Sequence, residues 1–194
     1  SALEEFSKAL EIFKRLKLND WLGQVYSWRG ALFLHLRRLE EAEQDLNQSL
    51  AVGSPNIEAM TLNRLGRVYM SKGDQYQDKD AGDKATEYMQ RGLERAKDIR
   101  DYVYWLGSLA RLATIAAEKE EYHRLDEFCK QLDDFLKEVK TPDKSALGQM
   151  YVGLAKLGFW KNEASQETIE QIINFLKEGI LIFEKHLFHQ FTNS

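Results

Sequence analysis

The sequence predicts an all-α protein, and three features support this class. Apolar residues recur at three- and four-residue spacing, as in Leu3, Phe6 and Leu10, which is the period of one face of a helix. Strand-like alternation is almost absent, and only two prolines, Pro55 and Pro142, interrupt the 194 residues. Helical hairpins also recur along the chain. We therefore expect an α-solenoid of antiparallel helix pairs with about nine helices.

The first predicted element is an amphipathic helix at residues 3–18. We interpret it as the second helix of a repeat that lacks its first helix, so we expect the chain to begin inside a longer protein. The first complete repeat covers residues 20–52, where Gly30 is followed twelve residues later by Ala42 and the pattern breaks near Arg37. A small residue at such a position lets the two helices of a hairpin cross closely.

The second repeat covers residues 55–98, and Gly66 has the role that Gly30 has in the first repeat. The corresponding alanine, Ala85, follows nineteen residues later instead of twelve. The difference predicts an insertion of seven residues in the turn at residues 75–83. Such an insertion projects from one edge of the array, where it is either a contact loop or a tolerated surface extension.

The third repeat covers residues 100–140, where Ala113 is followed twelve residues later by Leu125. After a predicted break at Thr141-Pro142-Asp143, residues 143–191 keep helical periodicity but lose the repeat pattern. We expect this last segment to be a pair of capping helices, because terminal repeats of a solenoid are atypical.

The second repeat has the residues of a known pattern: Leu65, Gly66, Tyr69, Gly73, Asp74 and Ala85. On these residues the sequence resembles the tetratricopeptide repeat family. Two longer links, which contain Trp-Leu-Gly at 21–23 and 105–107, resemble the extended variant found in signalling adaptors and in the sensor arms of large regulatory ATPases. The resemblance implies that a partner protein or peptide binds to the concave face, which the first helices of the pairs line.

Six residues at concave-face positions are the predicted peptide-binding residues: Trp28, His35, Asn63, Arg64, Arg67 and Arg111. We expect the last four to have side chains without internal partners. Asn63, Arg67 and Arg111 form a plausible carboxylate grip, because guanidinium groups bind carboxylates bidentately and asparagine adds a donor. The ligand would then be an acidic or C-terminal peptide.

Two alternatives remain open for this face. The two-carboxylate clamp of chaperone-binding relatives needs lysine in the first repeat, where this sequence has Gln24, Ser27 and Ala31. The alternative hypothesis is therefore a solvated polar face with local ion pairs. Trp28 either anchors a partner side chain or packs in the core against the neighbouring helix.

Composition excludes several classes of function. The 27 Lys and Arg against 31 Asp and Glu leave a formal net charge of −4, so no basic field predicts nucleic-acid binding. No apolar run approaches the about 20 residues of a membrane-spanning helix. The single cysteine, Cys129, cannot form an internal disulfide and is expected to be a buried, inert thiol. We therefore expect a cytoplasmic protein.

No phosphate-binding glycine loop, nucleophile elbow or zinc-protease motif occurs in the sequence, so it predicts no enzyme activity, no cofactor and no metal ion. The leading hypothesis is a binding module within a larger regulatory or signalling protein. The alternative is a structural spacer, or a self-associating or autoinhibitory arm. This alternative depends on the last helix, which is apolar on more than one face and offers a surface for a homo-oligomer: Ile180, Ile182, Phe183, Leu187, Phe188 and Phe191.

Overall fold

The computed structural model describes residues 1–53, 55–76, 80–119 and 121–138, together with Lys177. Seven helices account for the regular structure in these ranges: α1 (Ala2–Arg15), α2 (Asn19–His35), α3 (Leu39–Val52), α4 (Pro55–Tyr76), α5 (Ala81–Asp98), α6 (Tyr102–Glu118) and α7 (Tyr122–Glu138). The prediction of an all-α chain is confirmed for this part. The predicted capping pair at 143–191, with its apolar last helix, lies outside the described residues, and the nine-helix solenoid stays a prediction.

The chain divides into two compact units, Ser1–Ser108 and Leu109–Ser194. The first contains α1 to α5 and the first two turns of α6. The described part of the second contains the rest of α6 and all of α7. In that unit α6 contributes buried apolar residues such as Leu109, Leu112 and Ile115, and α7 contributes Phe128.

The two hairpins of the first unit cross at the predicted small residues. A Cβ atom at Gly30 would lie 2.8 Å from Leu46 Cγ and 3.2 Å from the carbonyl oxygen of Ala42. At Gly66, in the α4–α5 pair, a Cβ would lie 2.6 Å from the terminal methyl of Met89. The prediction that these positions need a small residue is confirmed, since each helix approaches its partner to within side-chain contact.

Successive hairpins share one core. α4 packs against α2 as well as against α3, so the first helices of the two pairs are neighbours. The buried residues of this core come from three helices: Phe33, Leu34, Leu39, Ala42, Leu46, Leu65 and Val68. A helical hairpin buries only one face by itself, and stacking the second hairpin on the first buries the remaining apolar surface.

Three helix-ending turns are built in the same way. The residues Lys17, Arg37 and Arg100 all have positive φ, at 54°, 60° and 56°. In each case the next amide donates to the carbonyl five residues back, as Arg38 N does to Phe33 O at 2.9 Å. These are main-chain bonds that satisfy carbonyls left open at a helix end. The predicted break near Arg37 is therefore confirmed, and α1 ends with the same turn as α2 and α5.

The insertion in the second repeat takes an unexpected form. α4 continues ten residues past Gly66, whereas α2 ends five residues after Gly30. Five of the seven extra residues thus lengthen a helix, and Gly73-Asp74 lies inside α4 instead of in a turn. The prediction that the turn covers residues 75–83 is wrong at both ends, because α4 continues to Tyr76 and α5 begins at Ala81. Of the intervening segment, residues 77–79 lie outside the described residues.

The extra turns of α4 are held by acidic residues of α3. The hydroxyl of Tyr69 and the ammonium of Lys72 both donate to the carboxylate of Glu43, and the hydroxyl of Tyr76 donates to Glu40 at 3.4 Å. These contacts outweigh the weak helix propensity of glycine and aspartate.

Among the described residues, no helix is both long enough and apolar enough to cross a bilayer.

Candidate functional site

A chain of buried hydroxyl groups ties α2, α3 and α4 together. Ser49 Oγ donates to the carbonyl oxygen of Gly23 at 2.8 Å and lies 3.0 Å from Thr61 Oγ1. Thr61 in turn donates to Ser27 Oγ at 3.1 Å. All three hydroxyl side chains are buried, and hydrogen bonding offsets the cost of removing them from water. The chain of hydroxyl groups ends at Ser27, which is fully buried.

Arg64 completes this network from α4. Its Nη1 donates to Ser27 Oγ at 2.8 Å, and the residue is only 6% exposed. Ser27 thus accepts two hydrogen bonds, from Thr61 and from Arg64. The expectation that Arg64 has no internal partner is wrong, because the predicted concave position is covered by neighbouring helices.

Trp28 covers the guanidinium group of Arg64. The guanidinium carbon lies 4.3 Å from the centroid of the indole ring, within the range of a cation–π contact. Yet 52% of Trp28 is exposed. Of the two readings that the sequence left open, core packing does not describe this residue, since half of its surface faces solvent.

Arg67 and Tyr104 flank the same group. Arg67, one turn after Arg64 on α4, is partly exposed, and Tyr104 on α6 is close enough to Arg64 for the two to interact electrostatically. Burial lowers the pKa of Arg64; Tyr104 opposes that shift and the positive charge of Arg67 adds to it. We use the name Trp28 surface for a group of four residues: Trp28, Arg64, Arg67 and Tyr104. All four belong to the first unit.

Asn63 takes no part in this surface. Its Nδ2 donates to Ser108 Oγ on α6 at 3.0 Å, and the side chain is buried. The expectation that Asn63 is available to a ligand is wrong. The side chain of Asn63 extends from α4 toward α6 instead of toward solvent. Its hydrogen bond to Ser108 fixes the register of these two helices.

Of the two remaining predicted residues, one belongs to each unit. His35 is exposed at the C-terminal end of α2. Arg111 belongs to the second unit, on α6, and is partly buried there. The first unit therefore brings together three of the six predicted residues, Trp28, Arg64 and Arg67.

Sequence reasoning missed three members of the site. Ser27 was considered only as a position where the lysine of the clamp is absent, and Thr61 and Tyr104 were not singled out. One signal was available: Ser27 and Thr61 lie at positions of α2 and α4 whose neighbours are apolar, and a hydroxyl in such surroundings needs a partner. The partner itself could not be identified, because Ser27 and Arg64 are far apart in sequence.

Within the part of the chain that the structure describes, no group of three or more His, Cys, Asp and Glu side chains could hold a metal ion. The chain matches no protein-family model, and comparison with curated proteins found no similar sequence.

Proposed function

We propose that this chain is a non-catalytic module that binds a protein or peptide on the Trp28 surface. The observation that carries the proposal is a half-exposed tryptophan stacked on a buried guanidinium for which the described residues provide no carboxylate partner. Tryptophan and arginine are the residue types that most often dominate binding energy in interfaces. Burying a guanidinium without a carboxylate costs the isolated chain stability, so a bound partner is a natural use of this geometry.

The composition of α2 supports the same proposal. Tryptophan, leucine, valine and phenylalanine occur on every side of this helix, and a helix that is apolar all round is normally buried. Here Trp21 and Trp28 are both about half exposed. A partner that covered them would remove a large apolar area from water.

The resemblance to tetratricopeptide repeats agrees with this surface. In that family the first helices of the pairs bind the partner, and Trp28 and Arg67 stand on α2 and α4, the first helices of the two complete pairs in the first unit. The same resemblance favours a cytoplasmic regulatory or signalling protein as the setting.

A pull-down from a source lysate tests the proposal with two variants of matched chemistry. Trp28→Ala combined with Arg67→Glu alters the Trp28 surface through a half-exposed and a partly exposed side chain. Arg91→Glu makes the same charge change on α5, where Arg91 is exposed and pairs with Glu87 at 3.5 Å. Arg64 itself is left unchanged, since a carboxylate at this buried position would test folding instead of binding.

We expect a partner that wild type and Arg91→Glu retain and that the double variant loses, with all three proteins equally helical by circular dichroism. Equal retention by all three would contradict the proposal. If light scattering then showed a concentration-dependent oligomer, the alternative of a self-associating or autoinhibitory arm would take its place.

A further inference from the structure

The turn between α1 and α2 exposes large apolar side chains to solvent. Leu16 is 55% exposed, Leu18 39% and Trp21 55%. The ring of Trp21 lies 6.1 Å from that of Phe13, between centroids, and this contact still leaves more than half of Trp21 in water. Single exposed leucines are common on protein surfaces, but three large apolar side chains at residues 16–21 form a patch. We call Leu16, Leu18 and Trp21 the turn patch.

The backbone of this turn does not require apolar residues. The turns after α2 and α5 have the same positive φ and the same closing hydrogen bond, yet at the position of Leu18 they have Arg38 and Asp101. Arg38 forms an ion pair with Glu41. Asp101 accepts a hydrogen bond from the amide of Val103 at 3.2 Å. The apolar side chains of the first turn therefore do something that the geometry of the turn does not ask for.

Three cations lie next to the turn patch in the sequence. Lys14, Arg15 and Lys17 are exposed, and none of them forms an ion pair with a described residue. Asp20, in the first turn of α2, is the single carboxylate between residues 12 and 21, so this segment is positive in a chain whose formal net charge is −4. The C-terminal end of a helix favours cations. That preference accounts for Lys14 and Arg15, but not for the apolar residues between the charges.

This combination of side chains fits the surface of an anionic bilayer. Segments that lie in a bilayer surface combine leucine and tryptophan with lysine and arginine. Tryptophan prefers the boundary between headgroups and acyl chains, and long cationic side chains extend from that boundary toward the headgroups. Anionic lipids supply the negative charge that the three cations lack. A bilayer also has no fixed shape to match, so it can accept side chains that project from a turn.

Two other partners fit this turn less well. A second copy in a two-fold contact would place the patch against itself, and the cations of the two copies would repel each other. A nucleic acid would attract the cations but would leave the two leucines in water. An anionic bilayer satisfies both the charge and the apolar surface.

We infer that the turn patch and its neighbouring cations bind the surface of an anionic lipid bilayer. Leu16, Leu18 and Trp21 then enter the headgroup region, and the three cations contact the charged headgroups. The inference does not rest on the proposed function, because it uses no residue of the Trp28 surface.

Co-sedimentation of the full chain with lipid vesicles tests the inference. Vesicles of phosphatidylcholine alone are compared with vesicles of two parts phosphatidylcholine and one part phosphatidylserine, at low and at high ionic strength. The charge variant is Lys14→Glu with Lys17→Glu. Its matched control is Arg91→Glu with Lys130→Glu, which makes the same change of net charge at exposed positions of α5 and α7. Circular dichroism first establishes that the three proteins are equally helical.

We expect wild type and the control to bind the mixed vesicles about tenfold or more tightly than phosphatidylcholine alone, and to lose affinity as salt is raised. Each lysine near an anionic surface strengthens binding about fivefold, so the charge variant should bind the mixed vesicles about 25-fold more weakly than wild type. Equal affinity for the two kinds of vesicle, or for wild type and the charge variant, would overturn the inference. A loss of affinity in the control as large as that in the charge variant would do the same.

Fluorescence quenching by brominated phosphatidylcholine in the mixed vesicles tests the apolar part of the contact. Bromine on the acyl chains quenches an indole only at close range, so the fluorescence of wild type should fall on binding. Trp21→Phe keeps an aromatic ring beside Phe13, and its fluorescence should fall much less. An equal fall in both proteins would show that another tryptophan enters the bilayer, which contradicts the assignment to the turn patch.

The two less suitable partners are tested with the same protein. A dimer in sedimentation velocity that Leu18→Gln dissociates would assign the turn patch to a second copy of the chain. A short DNA duplex that binds more tightly than the mixed vesicles would assign the cations to a nucleic acid. Either result would refute the bilayer as the occupant, and the pull-down on the Trp28 surface would be unaffected by it.

Discussion

At the scale of single residues, the most informative contact is the ion pair that joins α2 to α3. Asp45 is 4% exposed, and both of its oxygens accept from the guanidinium of Arg29. Hydrogen bonding to Asp45 raises the pKa of Arg29 despite its partial burial, so the guanidinium keeps its charge. The same guanidinium lies 5.8 Å from the rings of Tyr26 and Phe33. The pair is therefore packed on apolar groups and shielded from water.

Removing one partner of this pair is expected to lower the free energy of unfolding substantially. Asp45→Ala leaves the Arg29 charge without its acid in a partly buried place, and such changes cost about 3–5 kcal/mol. Urea unfolding followed by circular dichroism measures the loss. Glu41→Ala, which removes the exposed partner of Arg38, is the control and should leave the midpoint nearly unchanged. Similar midpoints for both variants would contradict the assignment.

At the scale of elements, two features of the backbone limit which residue types a position can accept. One is the close approach of α2 to the segment that follows α3: a Cβ atom at Gly23 would lie 2.6 Å from the Cα of Gly53. Because the obstacle is backbone, no side chain can rotate away from it. The other is the positive φ at the end of α1, α2 and α5.

The close approach predicts a contrast between two glycines. Gly23→Ala should lower the free energy of unfolding by about 1–3 kcal/mol, because the chain must move to admit the methyl group. At Gly107 the nearest atom to an added Cβ is Asn63 Nδ2, at an ordinary 3.5 Å. Gly107→Ala should therefore be neutral or stabilise α6 by up to about 1 kcal/mol. Calorimetry of the two variants measures this difference in the free energy of unfolding. An equal loss of stability in both variants would contradict the close approach of Gly23 to Gly53.

The turn geometry predicts a stabilising substitution. Arg37 has φ of 60°, a conformation that costs a residue with a Cβ about 1 kcal/mol or more and glycine almost nothing. Glycine also gains entropy in the unfolded chain, which offsets part of this benefit, so we expect Arg37→Gly to raise stability by only about 0.5 kcal/mol. Arg38→Gly, at φ of −92°, should lower it. Thermal unfolding of both proteins tests the sign.

How far the sequence predicts these elements depends on what holds each one. Periodicity and small residues were sufficient for the α2–α3 hairpin, because Gly30 and Ala42 report a local crossing. The end of α4 was mispredicted because Glu43 and Glu40, which hold Tyr69 and Tyr76, act from another helix. In the site, Arg64 and Trp28 were predicted as residues, but their stacking and the burial of Asn63 follow from the packing of three helices, which no local pattern encodes.

At the scale of the whole molecule, the stability of the first unit should depend on pH through Glu43. Burial tends to raise the pKa of this carboxyl, but hydrogen bonds from Lys72 and Tyr69 and the nearby charges outweigh it, so the pKa is lowered from 4.5. A carboxyl with a lower pKa in the folded state stabilises the fold above the pKa that it has in the unfolded chain. That contribution is lost as pH falls through the folded value.

Glu43→Gln should therefore be less stable than wild type at neutral pH, and the difference should shrink as pH falls below about 4.5. Urea unfolding at a series of pH values measures it. Glu5→Gln, which alters an exposed ion pair with Lys8, serves as the reference. A difference that stays constant with pH would show that Glu43 contributes by packing alone.

The shared turns have a consequence for how this chain can change over evolutionary time. The three turn segments are Leu16-Lys17-Leu18, Leu36-Arg37-Arg38 and Ile99-Arg100-Asp101. No residue is identical in all three, yet each closes with the same main-chain hydrogen bonds. Because those bonds need no particular side chain, mutation can rewrite the turns while the hairpins persist. A fold of helical hairpins closed by such turns can therefore be kept after the sequence similarity between relatives has been lost.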